Sequence, residues 1–290
     1  MIRAGGANVD GAERAAAWRS GVAEVATPGR PLRLRGGATL ERARLAYETF
    51  GDPNAESVVL VCHALTGDAH VTRQHVEAPK GWWEALVGPG RAVDPSRNYV
   101  ICSNVLGGCS GSTGPTSVDP ATGAPYGPTF PAVSIEDMVE AQSRLLEALG
   151  VVRPITVLGG SIGGFQALEW ALRFPERVRG VGVLASGARL SAFGIAFNEI
   201  GRRAVRADGR YRDGYYPADD PPADGLAAAR GLARLTYRSA EAFERRFGRR
   251  RRADSGGFEV ESYLALKGAG CVRRFDANTF LGLWRAMDAY

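Results

Sequence analysis

The sequence predicts an α/β fold: a mostly parallel sheet with helices on both faces, followed by a helical lid. Three observations carry this. Ser57–Cys62 (SVVLVC) and residues 99–103 (YVICS) are short, continuous apolar runs, the pattern of strands covered on both faces. Strand and helix patterns then alternate to residue 189, which calls for parallel strands joined by right-handed crossovers. Beyond residue 190 the strand signals stop, and helical stretches separated by Gly/Pro/Asp-rich segments such as 213–222 take over.

Taken in order, residues 1–30 are Ala/Gly/Arg-rich and weakly patterned, so a loose N-terminal arm is expected. Residues 31–34 and 40–47 read as an opening antiparallel pair. Residues 134–150 read as a helix, with Ser134 as cap, Asp137 three positions on, and an apolar stripe of Ile135, Met138, Val139, Leu145, Leu146 and Leu149. A strand at 155–158, a sharp glycine turn, a helix over 162–174 stopped by Pro175, and a strand at 178–185 follow. Helices are expected near 193–205, 226–237, 240–247 and 278–289. The division is an arm at 1–30, an α/β core at 31–189 and a lid at 190–290, with no internal repeat.

Composition narrows the function class. With 290 residues, 45% hydrophobic and 23% charged, the chain can bury a substantial core and is neither disordered nor collagen-like. No run approaches the ~18 apolar residues of a membrane span. No compact apolar segment marks the first thirty residues as a secretory signal, so a cytoplasmic protein without a membrane partner is expected. Four cysteines without a C-x-x-C pair argue against a disulfide framework and against a metal site. The net charge of +5 is modest, acidic residues are interspersed, and no basic patch is interleaved with aromatics, so no nucleic-acid partner is expected. All but Lys80 and Lys267 of the 36 basic residues are arginine, and such a balance suits a substrate that carries phosphates.

The sharpest motif is Gly159-Gly160-Ser161-Ile162-Gly163, a G-x-S-x-G between an apolar strand and a helix. That is the context of the nucleophile elbow of α/β-hydrolases, in which a serine on a tight strand-to-helix turn projects above the sheet. Glycines two positions either side let backbone approach where a Cβ would clash. The helix N-terminus behind the serine offers free N–H groups and its positive dipole end to a developing oxyanion. Alone, the pentapeptide fits a plain connecting turn equally well. A second segment, Cys62-His63-Ala64-Leu65-Thr66-Gly67, follows a buried strand about a hundred residues upstream. Its position matches the loop that supplies the other oxyanion donor, here the Leu65 amide beside that of Ile162. His63 reads as a brace for this loop rather than a base, and His70 and His75 have no assignable partner. The glycine-rich run at 104–115 lacks a P-loop or dinucleotide pattern and reads as a structural loop beside the serine.

Together the segments CHALTGDAHV (62–71), NVLGGCSGSTGPTS (104–117), PYGPTFP (125–131), GGSIGGFQALEWALRFPERV (159–178), FNEIGRRA (197–204), VESYL (260–264) and RFDANTF (274–280) resemble the homoserine O-acetyltransferase family, acyltransferases of α/β-hydrolase fold. The resemblance implies a ping-pong reaction of methionine biosynthesis: Ser161 takes an acetyl group from acetyl-CoA and hands it to the hydroxyl of L-homoserine. It implies no permanently bound cofactor, acetyl-CoA as co-substrate, and a homodimer paired through lid helices. Arg230, Arg234 and Tyr237 are spaced four and three apart; the resemblance assigns the substrate carboxylate to Arg230, with Tyr237 nearby and Thr66 a further contact. Arg234 reads as part of a solvated helix face. The run 249–252 reads as an exposed loop, with a place near the CoA phosphates as the alternative.

One departure stands out. A triad in this fold runs Ser, Asp, His in chain order, yet the chain's three histidines, His63, His70 and His75, all precede Ser161. Asp276 and Asp288 fall in lid segments and are not promoted to triad acid. The expectation is a chain truncated at its C-terminus, lacking the fold's last strands and the triad Asp and His, with an apolar sheet edge left exposed. Alternatives are a succinyl donor, a serine acceptor, a hydrolase with the same elbow, or a non-catalytic fragment that retains only ligand binding.

Overall fold

The computed structural model describes residues 17–75, 77–253 and 256–290. Six strands form one sheet: β1 (Trp18–Ala26), β4 (Ala43–Phe50), β6 (Asn98–Ser103), β5 (Ser57–Cys62), β7 (Ile155–Gly160) and β8 (Val178–Leu184), in that spatial order. β4 runs antiparallel to both β1 and β6, whereas β6, β5, β7 and β8 are mutually parallel. Two short strands, β2 (Leu32–Arg33) and β3 (Thr39–Leu40), pair separately.

Two expectations fail at the amino end. Residues 18–26 are not a loose arm but a nine-residue strand on the sheet's edge, whose outer half is mostly exposed and whose Val25 and Ala26 are buried. Residues 1–16 of the expected arm lie outside the described residues. The opening antiparallel partner of β4 is therefore β1, and residues 31–34 pair only with the short β3.

The parallel half follows its sequence pattern. β5 and β6 are buried along almost their whole length, as strands covered on both faces must be. α1 (Ile135–Ala148) begins with a capping box: the Ser134 hydroxyl accepts from the Asp137 amide and the Asp137 carboxylate accepts from the Ser134 amide. α2 (Ile162–Arg173) follows β7 after a single residue and ends ahead of Pro175. Between α1 and α2 runs a buried chain of side-chain hydrogen bonds. Trp170 Nε1 donates to Gln142 Oε1 at 2.8 Å, and Gln142 Nε2 donates to Gln166 Oε1 at 2.8 Å. Each polar atom that the apolar surroundings would penalise thus has a partner.

Five helices follow: α3 (Ala192–Ala207), α4 (Ala223–Leu235), α5 (Ala240–Phe247), α6 (Glu259–Val272) and α7 (Ala277–Ala289). α6 was not expected from the sequence. Its apolar residues are scattered around the helix and two glycines interrupt it, so no stripe betrays it. These helices share one core with the sheet. Leu65, Ile162 and Phe165 from the α/β part pack in the same buried cluster as Val205, Leu226, Phe280 and Trp284. At ~1.5–3 kcal/mol for each large apolar side chain buried, this cluster fastens the helices over the carboxyl ends of the strands. No helix among the described residues is long and apolar enough to cross a membrane. β8 pairs on one side only among the described residues, and its Val181 and Leu184 are about two-fifths exposed.

His70 gains a partner the sequence could not name. Its Nδ1 lies 3.0 Å from Glu48 Oε2 on β4, and its Nε2 donates to the Pro79 carbonyl at 3.0 Å. Partial burial pulls its pKa down, but the Pro79 and Glu48 bonds outweigh that and leave it raised. A histidine with a raised folded pKa contributes stability that is complete below its unfolded value and disappears as pH climbs through the folded one. Urea midpoints of the wild type and His70→Gln should therefore differ more near pH ~5.5 than near pH ~8.5. An equal gap at both values contradicts the pairing.

Candidate active site

Ser161 occupies the one-residue junction between β7 and α2, with φ 57° and ψ −124°. A side-chain-bearing residue at positive φ is costly, on the order of 1–3 kcal/mol, and persists only where its surroundings enforce it. Three bonds do so here. The Ser161 amide donates to the Leu184 carbonyl at the end of β8 (3.0 Å), and its carbonyl accepts from the Gly164 and Phe165 amides.

The two motif glycines explain how the turn closes. A Cβ on Gly159 would stand 1.8 Å from the Gly163 carbonyl oxygen, and a Cβ on Gly163 would stand 2.1 Å from the Cys62 carbonyl oxygen. The same Cβ would meet the His63 carbonyl oxygen at 3.0 Å. The first turn of α2 therefore lies directly on the carboxyl end of β5, with the 62–65 segment against it. Gly163→Ala should cost more than ~3 kcal/mol, because backbone rather than a flexible side chain must move. Urea denaturation checks this, and a near-neutral midpoint would mean the approach is not close.

His63 is fully committed to this loop. The Val105 amide donates to His63 Nε2 at 3.1 Å, so Nδ1 carries the proton and donates to the Ala64 carbonyl at 2.7 Å. Burial holds its pKa below the ordinary histidine value, so the neutral ring is the resident form. It ties the 104–115 segment to the 62–65 loop, which is how that glycine-rich run comes to pack here. Cys62 is no competing nucleophile: burial pushes its thiol up to about 12 against a smaller opposing hydrogen bond with Gln142.

Among the described residues, Ser161 Oγ makes no hydrogen bond, and none of the three histidines is bonded to it. Asp276 caps α7 through the Thr279 amide (2.7 Å) and accepts from the Tyr216 hydroxyl. Asp288 pairs with Arg202 and accepts from Asn198 (2.7 Å). Both carboxylates are thus occupied in holding the helices.

A cavity of about 460 Å³ opens beside the 62–65 loop, with Thr66 in its wall. α4 contributes Arg230 and Arg234, α6 contributes Lys267 and Cys271, and the α6–α7 connection contributes Arg273, Arg274 and Phe275. Arg234 was expected on a solvated face but lines the cavity with Arg230. Tyr237 was expected on the same helix face, yet it lies past the end of α4, half exposed, and stands outside the wall. Its hydroxyl accepts from Arg230 Nη1 at 2.9 Å, and its ring lies 5.1 Å from the Arg234 guanidinium carbon. Tyr237 therefore props both arginines. Sequence reasoning missed Lys267, Arg273 and Arg274, which sit more than thirty residues beyond Arg230 on elements with no shared period. The run 249–252 is elsewhere and locally engaged: Arg250 pairs with Glu259 at 2.9 Å, and Arg251 donates to the Gly256 carbonyl.

Comparison with known proteins places this geometry in a family. A family model described as the alpha/beta hydrolase fold matches residues 57–280. The homoserine O-acetyltransferase of Symbiobacterium thermophilum is 50% identical over 278 residues, covering 92% of this chain and 73% of that protein. The homoserine O-acetyltransferase of Caulobacter vibrioides is 50% identical over 270 residues, covering 90% and 71%. The crystal structure of esterase E22 superposes with a TM-score of 0.84 at 28% identity, over 94% of this chain and 78% of that one. The chain belongs to the homoserine O-acetyltransferase family, acyltransferases built on the alpha/beta hydrolase fold.

Proposed function

We propose that the chain moves an acetyl group from acetyl-CoA to the hydroxyl of L-homoserine through an acyl-Ser161 intermediate, in the ping-pong manner of methionine biosynthesis. The observation that carries this is the enforced positive φ of Ser161 at the strand–helix junction, with the 62–65 loop packed against the same turn. Ser161 Oγ attacks the thioester carbonyl. The amides of Leu65 and Ile162 donate to the oxygen that becomes negative, assisted by the positive end of α2. The carbonyl re-forms as the CoA thiolate leaves, giving acetyl-Ser161; the homoserine hydroxyl then attacks that ester and frees Ser161. Arg230 holds the homoserine carboxylate with its planar fork, Tyr237 fixes that fork from behind, and Thr66 closes the wall.

Both half-reactions need a base. His63 has neither ring nitrogen to spare, and His70 is paired with Glu48 and Pro79. These 290 residues by themselves are therefore expected to turn over only when a base is supplied, for example as free imidazole. A cytoplasmic setting accords with four free cysteines. Pairing of two copies through α3 belongs to the same reading and is supported by its exposed Phe193 and Ile200.

Hydrolysis of esters is the second reading, favoured by the likeness to esterase E22. The product decides. Homoserine with acetyl-CoA should yield O-acetylhomoserine in the presence of imidazole, and Ser161→Ala should abolish it. Release of acetate alone supports the esterase. Full turnover without imidazole would show a base within these residues, and no product from a folded, homoserine-binding chain would overturn the proposal. In calorimetry, Arg230→Ala should weaken homoserine binding at least ~10-fold, the loss of roughly one charge-assisted bidentate contact; unchanged affinity would remove Arg230 from the carboxylate site.

A further inference from the structure

A second cavity, of about 640 Å³, lies between α7 and the segment that leads into α1. It shares no lining residue with the cavity beside Thr66, and the acyl-transfer reading makes no use of it. Its volume is that of a small-molecule site, and its floor is apolar. Phe130 and Val133 line it from the segment, and Leu281, Leu283 and Ala286 from α7. Its free charge gathers around one tyrosine. The Tyr211 hydroxyl donates to Asn278 Oδ1 at 3.3 Å, and Asn278 Nδ2 donates to the Gly214 carbonyl at 2.9 Å. Arg206, in the last turn of α3, and Arg285, on α7, line the same cavity. Burial pushes the Tyr211 phenol up while both arginines pull it back, so both lie within electrostatic reach of its hydroxyl. Asp213 and Asp276 act on that phenol more weakly and line no part of the cavity.

Arg206 and Arg285 are exposed, and neither has a carboxylate or hydrogen-bond partner among the described residues. The other charges in the wall are already engaged. Arg35 pairs with Glu136 at 2.6 Å, and the two Asp137 oxygens accept the amides of Arg35 (2.8 Å) and Ser134 (2.9 Å). Two like charges facing one concavity repel, and an anion between them relieves that repulsion while accepting from both guanidinium forks. The floor beneath has no donor to offer, so it favours an anion that carries an apolar body.

We propose that Arg206 and Arg285 bind the carboxylate of a small organic acid whose apolar body lies on Phe130, Leu281 and Ala286. This is a ligand site separate from the cavity beside Thr66, and it does not depend on the acyl-transfer reading. Calorimetry on the 290-residue chain tests it with 4-phenylbutyrate as probe. Three comparisons isolate its parts: the neutral 4-phenylbutyramide lacks the charge, acetate lacks the body, and inorganic phosphate offers an anion alone. The probe should bind at least ~10-fold more tightly than any of the three. Arg206→Gln and Arg285→Gln should each weaken it, and together by ~10-fold or more, with the melting temperature unchanged. Arg230→Ala, which alters the cavity beside Thr66, should leave its affinity unchanged.

Equal affinities for the acid and its amide would overturn the proposal, as would wild-type affinity in the folded double variant. Loss of the probe in Arg230→Ala would move it to the cavity beside Thr66 and overturn the separate site. Phosphate bound as tightly as the probe would leave an anion site indifferent to the apolar floor, and the organic acid would be overturned. Charge-dependent probe binding by a chain that never acetylates homoserine would uphold the site and defeat only the acyl-transfer reading.

Discussion

The rest of the site depends on one steric constraint: the first turn of α2 lies backbone to backbone on the carboxyl end of β5. Only glycine at 163 permits that approach, because a Cβ there would overlap the Cys62 carbonyl oxygen, and only glycine at 159 lets the turn itself close, because its Cβ would overlap the Gly163 carbonyl oxygen. The approach leaves a single residue to reverse the chain between β7 and α2, and that residue is Ser161 at positive φ. The same contact brings the 62–65 loop, held by His63 between Ala64 and Val105, against the helix start. Strain at one serine and the packing of the 62–65 loop against the helix start are therefore consequences of one close approach rather than separate features.

The helices after residue 190 supply the charge. Their buried side chains share a core with Leu65, Ile162 and Phe165, so the cavity wall is fixed relative to the serine turn by apolar packing. Guanidinium and ammonium groups project from that packed base and are steadied by tyrosines, while their charge remains available to an anion. A neutral ester has no need of such a wall, whereas an anionic substrate does.

Much of the α/β part was legible because its signals are local. The continuous apolar runs of β5 and β6, the Ser134–Asp137 capping box and the glycine pair around Ser161 each report their own structure within a few residues. β1 was not legible: an edge strand buries few side chains, and its Trp18-Arg-Ser-Gly start carries no alternation strong enough to mark it. α6 escaped because its apolar residues do not line one face. The cationic cavity was half legible. Arg230 and Arg234 announce themselves on one helix, whereas Lys267 and Arg273 join them only through the packing of α4 on α6, a long-range fact no local pattern encodes.

The most direct measurement of the central claim is mass spectrometry of the Ser161-containing peptide after the chain is mixed with acetyl-CoA and imidazole, before and after homoserine is added. The account predicts a single acetyl adduct on Ser161 that homoserine removes as O-acetylhomoserine appears. Homoserine acetylated with Ser161 never modified, or an adduct confined to another residue, would contradict it.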